Sequence, residues 1–306
     1  MSRAVPALAV AALLSNALCY GLSWWPFKQL QALGLHPLWA TVLVDALVLA
    51  GILLFQPRVL GRLLRNRALW PLLIAAGCTN VGFNWAVTIG DVVRVVLLFY
   101  LMPLWAALLA WPLLGEKPTL RSVGFMLLAL AGVVLVLKTP ETPWPWPQDM
   151  ADVLALGGGF SFALTNVLLR RLRDSDALSI TATMLLGGAL LCALTAWAGM
   201  QQGLVPALPD PSVHWVLLAL GLALMIGVGN VTLQYGAARL PARTTALVML
   251  CEVVFASVSA IALGAGVLTE RVAMGGALIC TAALLSALSS GARAEHTGPP
   301  PATETP

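Results

Sequence analysis

The sequence predicts an all-α polytopic membrane protein: ten transmembrane helices, arranged as two inverted five-helix repeats around a central cavity. Three observations carry that prediction. Hydrophobic residues make up 59% of the 306 and charged residues only 10%, with a mean hydropathy of +0.90, a balance that no soluble domain of this length keeps in water. Windows of about 20 apolar residues, enough to cross a hydrocarbon core of roughly 30 Å, recur along nearly the whole chain. Finally, the cations alternate. With a cytoplasmic N-terminus, thirteen of the 17 Lys and Arg fall on the inner side, among them Arg3, Arg58, Arg62, Arg65, Arg67, Lys117, Arg121 and Arg170, against Lys28, Arg94, Lys138 and Arg271 outside. That bias fits an even number of spans with both termini cytoplasmic.

The predicted spans run Ala4 to Trp24, Leu38 to Phe55, Ala68 to Ile89, Val93 to Leu114, Leu120 to Leu137, Met150 to Leu169, Leu178 to Gly199, Val213 to Tyr235, Thr244 to Leu263 and Val272 to Ser290. The first is too long, and lacks a small-residue cleavage site before Trp24-Trp25, to read as a cleaved signal peptide. Pro26 is expected to kink or end it, and Lys28 to reach the outer interface. The corner from Pro57 to Arg67 reads as a basic amphipathic segment against anionic headgroups. Pro103 interrupts the fourth span, and Gly124 and Gly132 allow close approach in the fifth. Pro-Trp alternation from Pro140 to Pro147 cannot form a helix and marks the division between halves. The domains are therefore an N-terminal repeat over 1–139, an outer linker over 140–149, a C-terminal repeat over 150–290 and a disordered cytoplasmic tail over 291–306.

The repeat is visible in the order of features. An apolar helix with Asn80 and Asn84 leads to a helix broken at Pro103, a tight corner Leu114-Gly115-Glu116-Lys117-Pro118-Thr119, and a Gly-spaced helix. A weaker copy runs from Asn230 and Gln234 through Arg239 and Arg243 to Glu252 and the last apolar run. Because each copy holds five spans, the second starts on the opposite side and is inverted. Such repeats are a transporter architecture, with solute held near the midplane.

Together, Tyr20-Gly21 to Lys28, Ala86 to Pro103, Leu114-Gly115-Glu116-Lys117 and the Gly124/Gly132 helix resemble the EamA-type branch of the drug/metabolite transporter superfamily. The second half resembles the same domain in Asp152, Asn166 to Arg171, Gln234 to Pro241 and Glu252. Within the branch, Phe99-Tyr100-Leu101-Met102-Pro103 and Phe162 are most similar to the YddG-type amino-acid exporters. The chain departs from the common pattern in carrying Asp45 and Val253 where the family often has Arg and Pro. The resemblance implies ten helices, a central cavity, and export of small organic molecules without ATP.

Residue chemistry supplies the site candidates. Asn80 and Asn84 on the third span, and Asn230 and Gln234 on the eighth, are amides spaced i, i+4 on corresponding helices. An amide both donates and accepts, which suits the two ends of a zwitterion; alternatively it fastens helices together, for about 0.6–2 kcal/mol. Asn166 joins them through the resemblance. Tyr20, Phe99, Tyr100 and Phe162 offer flat apolar walls, or else ordinary packing. Asp45 and Glu252 are the two carboxylates that cannot be moved to a span end, so at least one is expected to carry a proton or meet a substrate ammonium, the alternative being a neutral acid bonded to a neighbouring helix. Pro26 and Pro103 are hinge candidates. Arg94, one turn after Asp91, is expected to pair with it, and Trp39, Trp70, Trp111, Trp144, Trp146 and Trp215 to form interface belts, with Trp85 undecided.

Other classes fit less well. The sequence contains no HExxH, GxSxG or GxGD string and no phosphate loop, so neither an intramembrane enzyme nor an ATP-driven pump is expected. No Lys or Arg pair lies at midspan to hold a sugar phosphate or nucleotide sugar. The cysteines Cys19, Cys78, Cys192, Cys251 and Cys280 lack paired spacing and read as small packing residues. The expectation is thus a monomeric inner-membrane exporter of small neutral or aromatic amino acids and related metabolites. It needs no cofactor and contacts the lipid bilayer but no nucleic acid.

Overall fold

The structure, a computed structural model, describes residues 4–115, 120–137, 147–172, 175–237, 239–240, 245, 248–249 and 251–296. The charged corner at 116–119, the Pro/Trp segment up to 146, Arg243 and the tail beyond 296 lie outside them. All described regular structure is helical. In chain order the helices are α1 (Ala4–Leu22), α2 (Trp24–Ala32), α3 (Pro37–Phe55), α4 (Arg58–Arg65), α5 (Trp70–Ile89), α6 (Val92–Phe99), α7 (Met102–Leu114), α8 (Leu120–Leu137), α9 (Met150–Arg171), α10 (Ala177–Gln201), α11 (Val213–Ala237), α12 (Cys251–Ala262) and α13 (Glu270–His296).

Among the described residues seven helical stretches are long and apolar enough to cross a membrane, and two of these are joined pairs, α1 with α2 and α6 with α7. Shorter apolar helices occupy Val123–Val136 and Cys251–Ala262. The chain is thus a multi-pass membrane protein.

Each break in a span sits beside a proline. Pro26 has no N–H to offer the carbonyl four residues back, and the helix interrupts at Ser23 between α1 and α2, where the Ser23 hydroxyl instead donates to Tyr20 O at 2.7 Å. Pro103 likewise leaves the Phe99 carbonyl without its helical donor, and Tyr100 and Leu101 form a turn between α6 and α7. The first span therefore does not end at Trp24 as expected but continues as α2 to Ala32.

Aspartates start three helices. Asp91 accepts from Arg94 N at 2.9 Å, Asp149 from Asp152 N at 2.8 Å and Asp176 from Ser179 N at 3.1 Å, each satisfying an otherwise orphaned backbone donor. Gly115, at φ 72°, closes α7 in the left-handed conformation open to glycine. At the other end of the chain, α13 continues as helix to His296, past the expected start of the tail at Gly291.

Packing has an internal symmetry. Numbering the predicted spans 1 to 10, the extensive contacts are 3 with 6 (α5–α9), 1 with 8 (α1–α11), 3 with 7 (α5–α10), 2 with 8 (α3–α11), 4 with 6 (α6/α7–α9) and 1 with 9 (α1–α12). Exchanging each span with the one five later turns the first contact into the second, the third into the fourth and the fifth into the sixth. Two contacts, α3–α10 and α8–α13, map onto themselves and so mark the pseudo-two-fold axis.

Glycines set the closest crossings. A methyl on Gly82 of α5 would come within 2.7 Å of Gly158 Cα on α9, and one on Gly132 of α8 within 2.6 Å of Gly275 O on α13. Backbone contact of this kind is how helices associate in lipid, where there is no hydrophobic drive between them. Gly159 of α9 faces the freed Phe99 carbonyl and Gly21 of α1 faces the Glu252 carbonyl on α12. These are corresponding contacts in the two halves.

Two expectations are corrected by this packing. Arg94 does not pair with Asp91, which is occupied as the α6 cap and accepts Val267 N at 2.8 Å. It reaches instead to Asp152 on α9, with Nε and Nη2 each 2.7 Å from a carboxylate oxygen, and donates through Nη1 to Val136 O on α8. Trp215 does not stand in an interface belt: it is 7% exposed, packed with Phe27, Leu30, Leu35 and Leu222, and its indole donates to Asp210 O.

Candidate functional site

Polar side chains converge at midspan from both halves. On α5, Asn84 donates to Thr41 Oγ1 of α3 at 2.9 Å and to Asn80 Oδ1 at 3.2 Å. Asn80 in turn donates to its own helix at Ala76 O. One turn along α3 from Thr41 lies Asp45, 6% exposed, its carboxylate aimed at Gly188 of α10. Asn80 Nδ2 faces the same glycine. This cluster lies on the α3–α10 contact, hence at the pseudo-axis.

A second cluster adjoins it. Tyr20, in the last turn of α1, is hydrogen-bonded to Asn230 of α11 and lies within electrostatic range of both Asp45 and Glu252. Glu252, in the first turn of α12, is also within range of Tyr100. Tyr20 and Glu252 sit deep in the protein, and each keeps part of its surface accessible.

Three of the four expected aromatics, Phe99, Tyr100 and Phe162, form one connected group, apart from Tyr20. Phe99 stacks on Phe83 at 4.6 Å, on Phe162 at 5.4 Å and edge-on to Tyr100 at 6.4 Å between ring centroids. Phe99 and Tyr100 are themselves buried, whereas Phe162 is partly open. Phe83 was missed in sequence; its i+3 offset from Asn80 was the available signal, since that spacing puts both on one side of α5.

Two amides lie elsewhere. Asn166 donates to Phe162 O of its own helix. Gln234 is exposed and donates to Thr181 Oγ1 at 3.0 Å, one turn into α10, so it bridges α11 and α10 near one end and is not gathered with Asn230. Asn16 of α1 is fully buried and donates to Gly229 O at 2.8 Å, tying α1 to α11.

The two ends of the bundle differ. At one, Arg62 meets Asp176 at 3.0 Å with both groups about half exposed. At the other, the buried Arg94–Asp152 pair, the Asp91 cap and the bond from Lys28 Nζ to Gly90 O draw α2, α6, α8 and α9 together. Beside them His36 caps α3 by accepting Leu38 N and packs edge-on against Trp85. Burial lowers its imidazole pKa to about 4. Among the described residues no cluster of three or more His, Cys, Asp or Glu has the placement to hold a metal ion.

The fold has a counterpart among crystal structures: one is 20% identical over 94% of this chain and 98% of its own, with a TM-score of 0.58, a likeness of fold alone. No curated protein matches the sequence. The model of the EamA-like transporter family matches twice, over residues 7–138 and 149–288, once for each half. Two matches covering most of the chain, on a helical bundle whose packing repeats between its halves, make this protein a member of the EamA-like transporter family, a membrane transporter of the drug/metabolite type.

Proposed function

We propose that the protein exports small neutral or aromatic amino acids and related metabolites, as the YddG-type exporters do, by alternating access and without ATP. The observation that carries this reading is the Glu252 carboxyl within electrostatic range of both Tyr20 and Tyr100, with Tyr100 packed on the Phe99–Phe162 group. An acid meets a substrate ammonium, an amide such as Asn230 meets a carboxylate through its donors, and rings accommodate an apolar side chain. Among the described residues no Lys or Arg stands with these groups, which disfavours phosphorylated substrates.

In this reading ten spans form two inverted halves, 1–139 and 150–290, joined by the 140–149 linker. Support comes from the contacts that map onto one another when the halves are exchanged. The chain works as a monomer in an inner membrane with both termini cytoplasmic, consistent with Arg58, Arg62, Arg65 and Arg67 grouped at one end. Rocking of the halves turns on the breaks beside Pro26 and Pro103. At least one of Asp45 and Glu252 carries a proton or meets the substrate ammonium.

The same acid and rings also suit organic cations, so efflux of cationic drugs is the second reading. Purified protein in liposomes, offered labelled phenylalanine, leucine, alanine and a quaternary ammonium dye with and without a pH gradient, tests both. Amino-acid uptake supports the first, dye uptake alone the second, and no uptake of either contradicts the pair.

A further inference from the structure

The two midspan carboxyls have different surroundings, and the difference assigns them different work. Asp45 is closed in. Its Oδ2 has no accessible surface and no hydrogen-bond partner among the described residues, and it points into the notch that Gly188 leaves in α10. A methyl on Gly188 would collide with it. Its electrostatic neighbours are Tyr20 of α1 and Cys192 of α10; α2, α4, α5 and α11 bring no charged partner within range. Glu252 is less enclosed and lies within electrostatic range of two phenols, Tyr20 and Tyr100.

A negative charge shared onto an enclosed oxygen with no partner, as at Asp45 Oδ2, is unfavourable. A metal cation would relieve it only with about six oxygen ligands, and the nearest ones, Thr41 Oγ1 and Asn80 Oδ1, already accept from Asn84. A proton needs one oxygen. The Gly188 notch leaves substrate no room at Asp45 Oδ2, whereas Glu252 is less fully enclosed.

We propose that Asp45 is the carboxyl that takes up and releases the coupling proton, and that Glu252 is the one that meets the cationic group of the substrate. The proposal rests on the transport reading above. While α3 and α10 are in contact the carboxyl keeps its proton. Their contact lies on the pseudo-axis, so rocking of the halves parts them, admits water and lets the proton leave to that side. The opposite rocking opens the same carboxylate to the other side, where it is reprotonated before α3 and α10 meet again.

The test uses full-length protein in detergent and in liposomes. Infrared spectra of the wild type are expected to show a protonated-carboxyl carbonyl band that shifts in D2O, is lost in Asp45→Asn and persists in Glu252→Gln. In liposomes, Asp45→Asn should keep counterflow of labelled phenylalanine, which needs no net proton movement, and lose accumulation driven by a pH gradient. Glu252→Gln should lose counterflow about tenfold or more, the loss of one charge-assisted hydrogen bond. If Asp45→Asn does not fold, Gly188→Ala takes its place, with drive lost and counterflow kept. Absence of the band in wild type, its survival in Asp45→Asn, or undiminished gradient-driven accumulation in that variant overturns the assignment. If wild type gives no phenylalanine counterflow, the amino-acid reading fails, while the infrared comparison still decides the proton site.

Discussion

Arg94 and Asp152 meet across the α6–α9 contact through two parallel bonds of 2.7 Å, with Asp152 1% exposed and Arg94 17%. Fork-to-fork geometry of this kind gives an ion pair both direction and strength. Asp152 also accepts Gln148 N at 3.0 Å, so the pair anchors the entry to α9 as well as joining it to α6 and, through Val136 O, to α8.

Removing one partner of that pair strands a buried charge. Asp152→Asn or Arg94→Gln should therefore lower stability in detergent by about 3–5 kcal/mol. The double variant should fall well short of the sum, which thermal unfolding of the three proteins measures; additive losses would show that the groups act separately.

The glycine crossings predict a graded response. Gly132→Ala puts a methyl against Gly275 O and Gly82→Ala puts one against Gly158; each should destabilise by about 1–3 kcal/mol. Gly61→Ala on α4 meets nothing within 4 Å, and higher helix propensity should leave it neutral or stabilised by up to about 1 kcal/mol. Melting temperatures of the three variants, purified alike, check the order.

His36 predicts how stability depends on pH. Its folded pKa is lowered by burial from 6.5 to about 4, so the unfolded chain binds more protons in between. The stability held by the neutral ring is fully present above about pH 6.5 and is lost as pH falls toward 4. His36→Asn, which keeps an N-cap acceptor, should flatten that part of the stability profile; an unchanged slope would place the titrating group elsewhere.

Asn84 and Gln234 separate two roles for amides. Asn84 bonds Thr41 at midspan while Gln234 bonds Thr181 near one end. Asn84→Leu should reduce phenylalanine counterflow several-fold with folded yield retained, and Gln234→Leu should change it little. Equal losses of folded protein in both would make the amides fasteners only.

How far these features were legible follows from how local their causes are. The spans were readable because a bilayer demands about 20 apolar residues in a row, and both breaks were readable because proline acts on the carbonyl four residues behind it. The Arg94 partner was not. Asp91 is near in sequence, but helix initiation claims it, and Asp152 becomes the partner only once α9 docks on α6. Trp215 was misplaced for a similar reason, since a tryptophan near a span end suits lipid headgroups or a core equally until α2 and α3 close over it. Asp45 was identifiable as an intramembrane acid, but its notch depends on Gly188, which only the α3–α10 crossing brings beside it. Gln234 shared the i, i+4 spacing of the other amides, which fixes a helix face and says nothing of depth in the bundle.

Amino-acid recognition turns on Glu252 meeting the substrate within the bundle. Counterflow of labelled phenylalanine into liposomes loaded with the unlabelled compound, compared between wild type and Glu252→Gln at matched folded protein, tests this directly. Uptake above protein-free liposomes is expected for the wild type, with a loss of about tenfold or more in the variant. Equal uptake by the two proteins, or none by the wild type, would contradict it.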